Sequence, residues 1–115
     1  MLRVEPTVRL DPAPMWRAVL QDLACGVAPG IIAARFHKGL AIATVAMAGG
    51  LRPAGFDTVA LSGGCFQNAV LAEEVERRLW KAGFAVLTHS AVPANDGGLA
   101  LGQAAVAAAR LIAPA

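Results

Sequence analysis

Charged residues are scarce in this chain, and those present are spread along it. Only 16% of the 115 residues are Asp, Glu, Lys or Arg, against about 25% in a typical soluble domain. The net charge is +2, and there is no basic stripe with interleaved aromatic side chains, so we expect no nucleic-acid partner. The hydrophobic content of 57% has two interpretations: an apolar face that the rest of an enzyme covers, or alanine-rich helices.

Cysteines, histidines and long apolar runs are also few. Cys25 and Cys65 have no metal or disulfide spacing, which indicates a reducing, cytoplasmic compartment. The two histidines, His37 and His89, are too far apart to form a metal-binding pair at one helical turn's spacing. No secretory signal is visible, and the longest apolar run, 39–48, is shorter than the roughly 20 residues that span a bilayer. We therefore expect no membrane association and interpret this run as a buried helix.

Helix and strand signals alternate along the rest of the chain. Glycines and prolines bound the predicted elements, which are a short strand at 7–10, helices at 15–24 and from 29 to Gly49-Gly50, a strand at 57–61, a helix at 67–82, a strand at 84–88 and a helix at 99–112. Such alternation predicts an α/β fold with parallel strands and right-handed crossovers. Two or three strands are too few for a self-sufficient sheet, so we expect residues 1–115 to be one piece of a larger domain.

A glycine-rich turn lies between the first long strand and the helix that follows it. Ser62-Gly63-Gly64 comes directly after Val59-Ala60-Leu61 and before the predicted helix. Such a turn points unpaired N–H groups and the positive end of a helix dipole at a ligand, and glycine lets an anion come close to the backbone. Asn68 could add an amide to a ribose or phosphate oxygen. The alternative is a tight connection without a ligand.

A second glycine pair precedes the last helix. Asp96 comes just before Gly97-Gly98 and lies at the carboxyl side of the 84–88 strand, where parallel α/β sheets bind ligands. The Asp96 carboxylate could hold a metal that bridges phosphate oxygens, or it could simply cap the helix. The residues alone leave both interpretations open.

Three segments together resemble the C-terminal end of HypF, the carbamoyltransferase family of nickel–iron hydrogenase maturation. They occur in the family's order and spacing, within a similarity that runs from about Val8 to Arg110, and they are Ile32–Ala41, Leu61–Asn68 and Pro93–Gln103. The resemblance implies the second half of an actin-like ATPase domain of the ribonuclease H-like class, with few parallel strands and flanking helices.

The resemblance also implies a reaction. In this family carbamoyl phosphate is hydrolysed, carbamate is activated with ATP as carbamoyl-adenylate, and the carbamoyl group passes to the C-terminal cysteine of the partner protein HypE. The family's upstream domains and its paired-histidine metal motif have no counterpart in this sequence, so we expect the chain alone to be inactive. One alternative is a fragment that acts only when it is paired with a separate polypeptide. Other interpretations are a truncated, non-catalytic nucleotide-binding fragment and a relative of the tRNA threonylcarbamoyl transferases; Phe36-His37 and the lack of a basic patch weigh against the latter.

Site residues carry over from the family position by position. The resemblance implies that the nucleotide site is lined by Ser62, Gly63, Gly64, Asn68, Gly97 and Gly98. It implies that Asp96 completes a divalent metal site, for Mg, Zn or Fe, with histidines from elsewhere. His37 is expected near the active site, His89 in a loop beside it, and Cys65 as a small buried hydrophobic residue. No residue is assigned a catalytic role.

Overall fold

A computed structural model describes residues 8–113 of the chain. The helices and strands, in chain order, are α1 Ala13–Ala24, α2 Pro29–Leu51, β1 Thr58–Ala60, α3 Ala69–Lys81, β2 Ala85–Leu87 and α4 Leu99–Ile112, with 3-10 turns at Arg52–Ala54, Gly64–Gln67 and Asp96–Gly98. The predicted α/β alternation is confirmed. The predicted strand at 7–10 is not: residue 7 lies outside the described residues, and residues 8–10 form neither helix nor strand.

The predicted start of α3 is wrong by two residues, and the reason is local. A 3-10 turn occupies Gly64–Gln67, so the helix begins only at Ala69. Asn68 is its N-cap, and the side-chain oxygen of Asn68 accepts a hydrogen bond from the N–H of Leu71 at 3.2 Å. Asn is among the best N-cap residues because its side-chain oxygen can accept from an N–H group of the first helical turn, and α3 therefore begins directly after Asn68.

The sheet has two parallel strands in the described part of the chain. Thr58 pairs with Ala85, Val59 with Val86 and Ala60 with Leu87. Val59 and Val86 are half-buried and pack on the core, whereas the other four residues are exposed. Successive strand residues point to opposite faces, so one face of the sheet lies on α3 and the other is open.

The core lies between α2, α3 and the covered face of the sheet. Its buried members are Ala41, Leu61, Leu71, Val75, Leu79 and Phe84. The three α3 residues are four positions apart, which places them on one side of a helix. This stripe faces β1 and β2 and thereby sets the position of the strand ends.

Helix α2 packs against both α1 and α3. Together with the turn to Ala54, it is long and apolar enough to cross a membrane by length and composition alone, a test that core helices also pass. Its first half carries Arg35, which forms a 2.7 Å ion pair with Asp22 of α1. The expectation that 39–48 is buried is only partly correct, because Ala41 is fully buried while Ile42 is 46% exposed. These contacts favour a helix that packs within a protein.

Helix α4 projects from the rest of the structure. All of its residues are exposed, and two large apolar side chains near its end, Leu111 and Ile112, are 88% and 82% exposed. The open face of the sheet adds Leu87, which is 59% exposed. The described residues thus present apolar surface on two elements, as expected when the remainder of a larger domain covers them.

Candidate functional site

The two glycine-rich segments meet at the carboxyl ends of β1 and β2. The N–H of Gly63 donates to the carbonyl oxygen of Ala94 at 2.7 Å, and the N–H of Leu61 donates to that of Leu87 at 2.9 Å. Parallel pairing brings the two strand ends to the same edge of the sheet, which is where open α/β sheets bind ligands. Residues separated by about 30 positions therefore form one continuous surface.

The first segment, Ser62–Asn68, is called the glycine turn below. Gly63 has φ +104° and ψ +155°, a conformation open essentially only to glycine. Its N–H is already bonded to Ala94, so Gly63 contributes backbone shape and not a donor for a ligand. Gly63 stays a predicted residue of the nucleotide site.

Gly64 also has open space beside it. A Cβ atom at this position would meet no heavy atom within 4 Å, and its φ is not positive. No backbone carbonyl of residues 8–113 accepts from the N–H of Gly64 or from that of Cys65. Two unpaired donors at the start of a 3-10 turn suit an anion.

Cys65 is exposed, which contradicts the expectation of a buried hydrophobic residue. The 3-10 turn accounts for the difference. Because Gly64–Gln67 bulges away from the core before α3 begins, only Phe66 of this turn is packed against the core cluster.

The second glycine segment is shaped by contacts within the protein. A Cβ at Gly97 would lie 2.9 Å from Cγ of Pro93, and one at Gly98 would lie 2.8 Å from the carbonyl oxygen of Pro93. Both distances are shorter than real Cβ contacts allow. The fold of the loop itself therefore requires glycine at both positions, and their place in the nucleotide site stays a prediction.

Asp96 does not cap α4. The side chain of the preceding residue, Asn95, accepts a hydrogen bond from the N–H of Gly97 at 2.9 Å and caps the turn instead. Asp96 is exposed, and its carboxylate forms no hydrogen bond or ion pair with any residue between 8 and 113. Since the capping interpretation fails, this carboxylate is available for another role.

The metal site at Asp96 stays a prediction. Within residues 8–113 no group of three or more His, Cys, Asp or Glu side chains could hold a metal ion. Asp96 could supply one oxygen ligand of the kind that hard divalent cations prefer. The remaining ligands of such a site would have to come from outside the described residues.

Both histidines contact the glycine turn. Nε2 of His89 lies 2.9 Å from Oγ of Ser62, and Nε2 of His37 lies 2.8 Å from Nδ2 of Asn68. His89 is thus beside the predicted site, and His37 is joined to one of its residues. Sequence reasoning missed the capping role of Asn68, although an Asn directly before a helical run is a recognisable N-cap signal.

Two cavities adjoin the glycine turn and differ in character. One of about 200 Å³ is lined by His89 and Ala94 together with the carboxylates of Glu73 and Glu76, so its charge does not suit a phosphate. The other, of about 420 Å³, is an apolar cleft along β1 that reaches Ser62. The open space over Gly64 is therefore the better position for an anion.

Comparison with known proteins identifies the family. A family profile described as "Carbamoyltransferase, Kae1-like Domain, second subdomain" matches residues 2–103. This chain belongs to the HypF carbamoyltransferase family. HypF of Rhodobacter capsulatus is 50% identical over 103 residues, which are 89% of this chain and 13% of that protein. HypF2 of Cupriavidus necator is 40% identical over 112 residues, 94% of this chain and 13% of that protein.

Solved HypF structures share the fold. The crystal structure of full-length HypF in a phosphate- and nucleotide-bound form superposes with a TM-score of 0.86 at 38% identity, covering 90% of this chain and 14% of that one. HypF of T. kodakarensis gives 0.78 at 28% identity, covering 96% and 15%. The predicted α/β fold with few parallel strands and flanking helices is confirmed. The chain spans about an eighth of the length of the HypF relatives that it matches.

Proposed function

We propose that residues 1–115 form the C-terminal subdomain of a HypF-type carbamoyltransferase and supply one side of its nucleotide site. The observation that carries this proposal is the 2.7 Å hydrogen bond from Gly63 to Ala94. It joins the two glycine segments at the carboxyl edge of the sheet and leaves Gly64 facing open space. The 38% identical HypF structure that holds phosphate and nucleotide supports the same ligand class here.

In this proposal the glycine turn binds ATP and the carbamoyl-adenylate made from it. The N–H groups of Gly64 and Cys65 donate to phosphate oxygens, and Gly64 lets those oxygens approach because it has no side chain. Charge-assisted hydrogen bonds of this kind are stronger than bonds between neutral groups. The turn thus orients the adenylate and stabilises the negative charge of its phosphate.

The transfer step moves the carbamoyl group from adenylate to sulfur. The thiolate of the C-terminal cysteine of HypE attacks the carbamoyl carbon, the bond from that carbon to the phosphate oxygen breaks, and AMP leaves. Carbamoyl phosphate supplies the carbamate through the upstream domains of the enzyme. Asp96 would hold a divalent metal, which neutralises phosphate charge when bound, together with ligands from those domains.

The exposed apolar surfaces fit this arrangement. A two-stranded sheet with one open face is marginal by itself, and Leu87, Leu111 and Ile112 are each more than half exposed. We propose that the remaining half of the ATPase-like domain, on the same or another polypeptide, covers the open face and α4. We place the assembled enzyme in the cytoplasm, where Cys25 and Cys65, both free, stay reduced.

The experiment that tests this function uses a chimeric enzyme, in which this chain replaces the matching segment of Rhodobacter capsulatus HypF. The chimeric enzyme is supplied with carbamoyl phosphate, ATP, Mg²⁺ and HypE, and carbamoylation of the HypE cysteine is measured by mass spectrometry. We expect transfer above that of an enzyme lacking the segment. A chimeric enzyme that is folded and hydrolyses carbamoyl phosphate but transfers no carbamoyl group would contradict the proposal.

A binding measurement separates the chain's own contribution. The 115-residue chain, checked by circular dichroism for folding, is titrated calorimetrically with ATP and Mg²⁺. Micromolar binding would mean that the glycine turn forms a usable half-site. A folded chain that does not bind would mean that the other half builds the site, and a chain that also fails in the chimeric enzyme would be a non-catalytic fragment.

A further inference from the structure

The two ends of the glycine turn are each hydrogen-bonded to a histidine. His89, after β2, contacts Ser62 at the first residue of the turn, and His37, on α2, contacts Asn68 at the last. These are the only two histidines of the chain. The His37 contact is the more informative of the two, because its surroundings determine which atom carries each proton.

The direction of each hydrogen bond around His37 follows from the two groups at the ends of the chain of bonds, the Ala33 carbonyl and the Leu71 N–H. Nδ1 of His37 lies 2.8 Å from the carbonyl oxygen of Ala33, and a carbonyl oxygen only accepts, so Nδ1 carries the proton. Nε2 of the neutral ring is then an acceptor, and Nδ2 of Asn68 donates to it at 2.8 Å. At the far end, the N–H of Leu71 donates to Oδ1 of Asn68.

This chain of bonds leaves the Asn68 amide a single orientation. Turning the amide over would set Oδ1 against the lone pair of His37 Nε2 and set Nδ2–H against the N–H of Leu71. Both contacts would be repulsive. The Asn68 oxygen is therefore already engaged, and the side chain retains one N–H for a ligand, so that it meets an acceptor atom such as a phosphate, ribose or carbonyl oxygen.

We propose that His37 is a positioning residue for the nucleotide site. It touches Asn68 and not the nucleotide, and it holds the Asn68 amide so that its free N–H faces the ligand over the glycine turn. The inference rests on the proposed function, since it deepens the description of the same site. It also assigns a physical role to the Phe36-His37 segment, for which the family resemblance supplied none.

The geometry of α2 suits such a role. His37 is half-buried, its ring stands edge-on to Phe36 with centroids 6.1 Å apart, and its Nδ1 is tied to its own helix one turn earlier. A ring restrained on two sides loses little freedom when it accepts the Asn68 bond. α2 packs directly on α3, so the contact is carried by two packed helices and not by a loop.

The test uses the chimeric enzyme and its affinity for ATP with Mg²⁺. His37→Phe keeps a ring of similar shape and removes the acceptor, and we expect ATP binding to weaken roughly three- to tenfold, the effect of one neutral hydrogen bond. His37→Gln, which returns an acceptor oxygen at similar reach, should restore most of the affinity. Thr44→Val is the matched control, because it removes another side-chain bond to a carbonyl on the same helix and should leave ATP affinity unchanged.

A double-mutant cycle decides whether His37 acts through Asn68. Asn68→Ser retains a good N-cap but is too short to reach His37. We expect His37→Phe to have no further effect on ATP affinity in the Asn68→Ser background. If the unsubstituted chimeric enzyme binds ATP but the effects of the two substitutions are independent and additive, the positioning role is overturned. The proposed function would remain intact in that case.

The hydrogen-bond arrangement is also measurable without nucleotide. Nitrogen-15 NMR of the histidines in the folded wild-type protein should show that the neutral form of His37 carries its proton at Nδ1 and not at Nε2. Protonation at Nε2 instead would overturn the proposal whether or not ATP binds. A wild-type chimeric enzyme with the expected tautomer but no ATP binding would refute the proposed function and, with it, the ligand side of this inference.

Discussion

Adjacent glycines of the glycine turn should respond in opposite ways to the same substitution. Gly63 adopts φ +104°, and an alanine there is strained whatever space surrounds it. A residue held in such a region costs on the order of 1–3 kcal/mol. For a domain of this size that cost lowers the melting temperature by roughly 5 to 15 °C.

Gly64→Ala should leave stability almost unchanged. The new methyl group meets no heavy atom within 4 Å, and the backbone conformation accepts an L-residue. Removing a glycine where no strain results can even stabilise a protein, by about 0.4–1 kcal/mol, because the unfolded chain loses freedom. We expect the melting temperature of Gly64→Ala to equal or slightly exceed that of the wild type.

For ATP affinity we expect the opposite order, with Gly64→Ala the more damaging of the two substitutions. The Gly64 methyl group occupies the space through which a phosphate would reach the N–H groups of Gly64 and Cys65. A hydrogen bond to a charged group contributes about 1.5–3 kcal/mol, so losing one weakens binding roughly tenfold to a hundredfold. The N–H of Gly63 is bonded to Ala94 and donates to no ligand. Gly63→Ala should therefore weaken ATP binding less than Gly64→Ala does.

Two assays test this pair of substitutions. Thermal melting followed by circular dichroism measures the stability of each variant, and calorimetric titration of the chimeric enzyme measures its affinity for ATP with Mg²⁺. Gly49→Ala, on α2, is the control, since its Cβ also meets nothing within 4 Å. Unchanged ATP affinity in Gly64→Ala would refute the phosphate site over Gly64, and a large loss of stability in the same variant would refute the turn geometry.

Three further predictions concern the metal, the core and an ion-pair cluster. Asp96→Ala in the chimeric enzyme should lower metal-dependent carbamoylation of HypE by at least about tenfold, the low end for loss of an outer-sphere partner, and leave carbamoyl phosphate hydrolysis intact; equal carbamoylation would reject Asp96 as a ligand. Leu79→Ala, at a fully buried position, should cost about 2–5 kcal/mol in urea unfolding, whereas Trp80→Ala, 63% exposed, should change stability far less; similar losses would contradict the assigned core. Hydrogen bonds from Arg77 and Arg78 lower the pKa of the Glu74 carboxyl below its usual 4.5. The cluster therefore stabilises the fold above that pH and loses this effect as the pH falls through the lowered value. Glu74→Gln should slightly reduce the melting temperature at neutral pH, and a difference from the wild type that persists in strong acid would argue against this origin.

Helix and strand positions were predictable because they depend on neighbouring residues. A helix over most of α3 was predicted, and in the structure Leu71, Val75 and Leu79 form its buried stripe. The bounds of α4 were predicted to the residue. The predicted bounds differ from the structure where a capping residue or a 3-10 turn replaces the start of a helix. Asn68 was placed inside α3 although it is a strong cap, and the 3-10 turn before it exposed Cys65.

The same spacing rule explains which apolar residues of α3 remain outside the core. Val70 and Trp80 are also apolar residues of this helix, yet each is 63% exposed. Both lie about 100° around the helix from a buried neighbour. Periodicity predicts a buried stripe, but its width depends on what packs against it, and here the described residues cover only one side.

The sequence by itself determined the α/β class, most element bounds, the glycine segments and the family, because propensities, caps and motifs act within a few residues of one another. Only the tertiary structure decided how those segments meet. The hydrogen bonds from Gly63 to Ala94, from Asn68 to His37 and between His89 and Ser62 span about 30 residues each, and they exist because β1 pairs in parallel with β2 and α2 packs on α3. No local signal encodes such contacts, since they form only when separate elements are brought together by burial of a shared core.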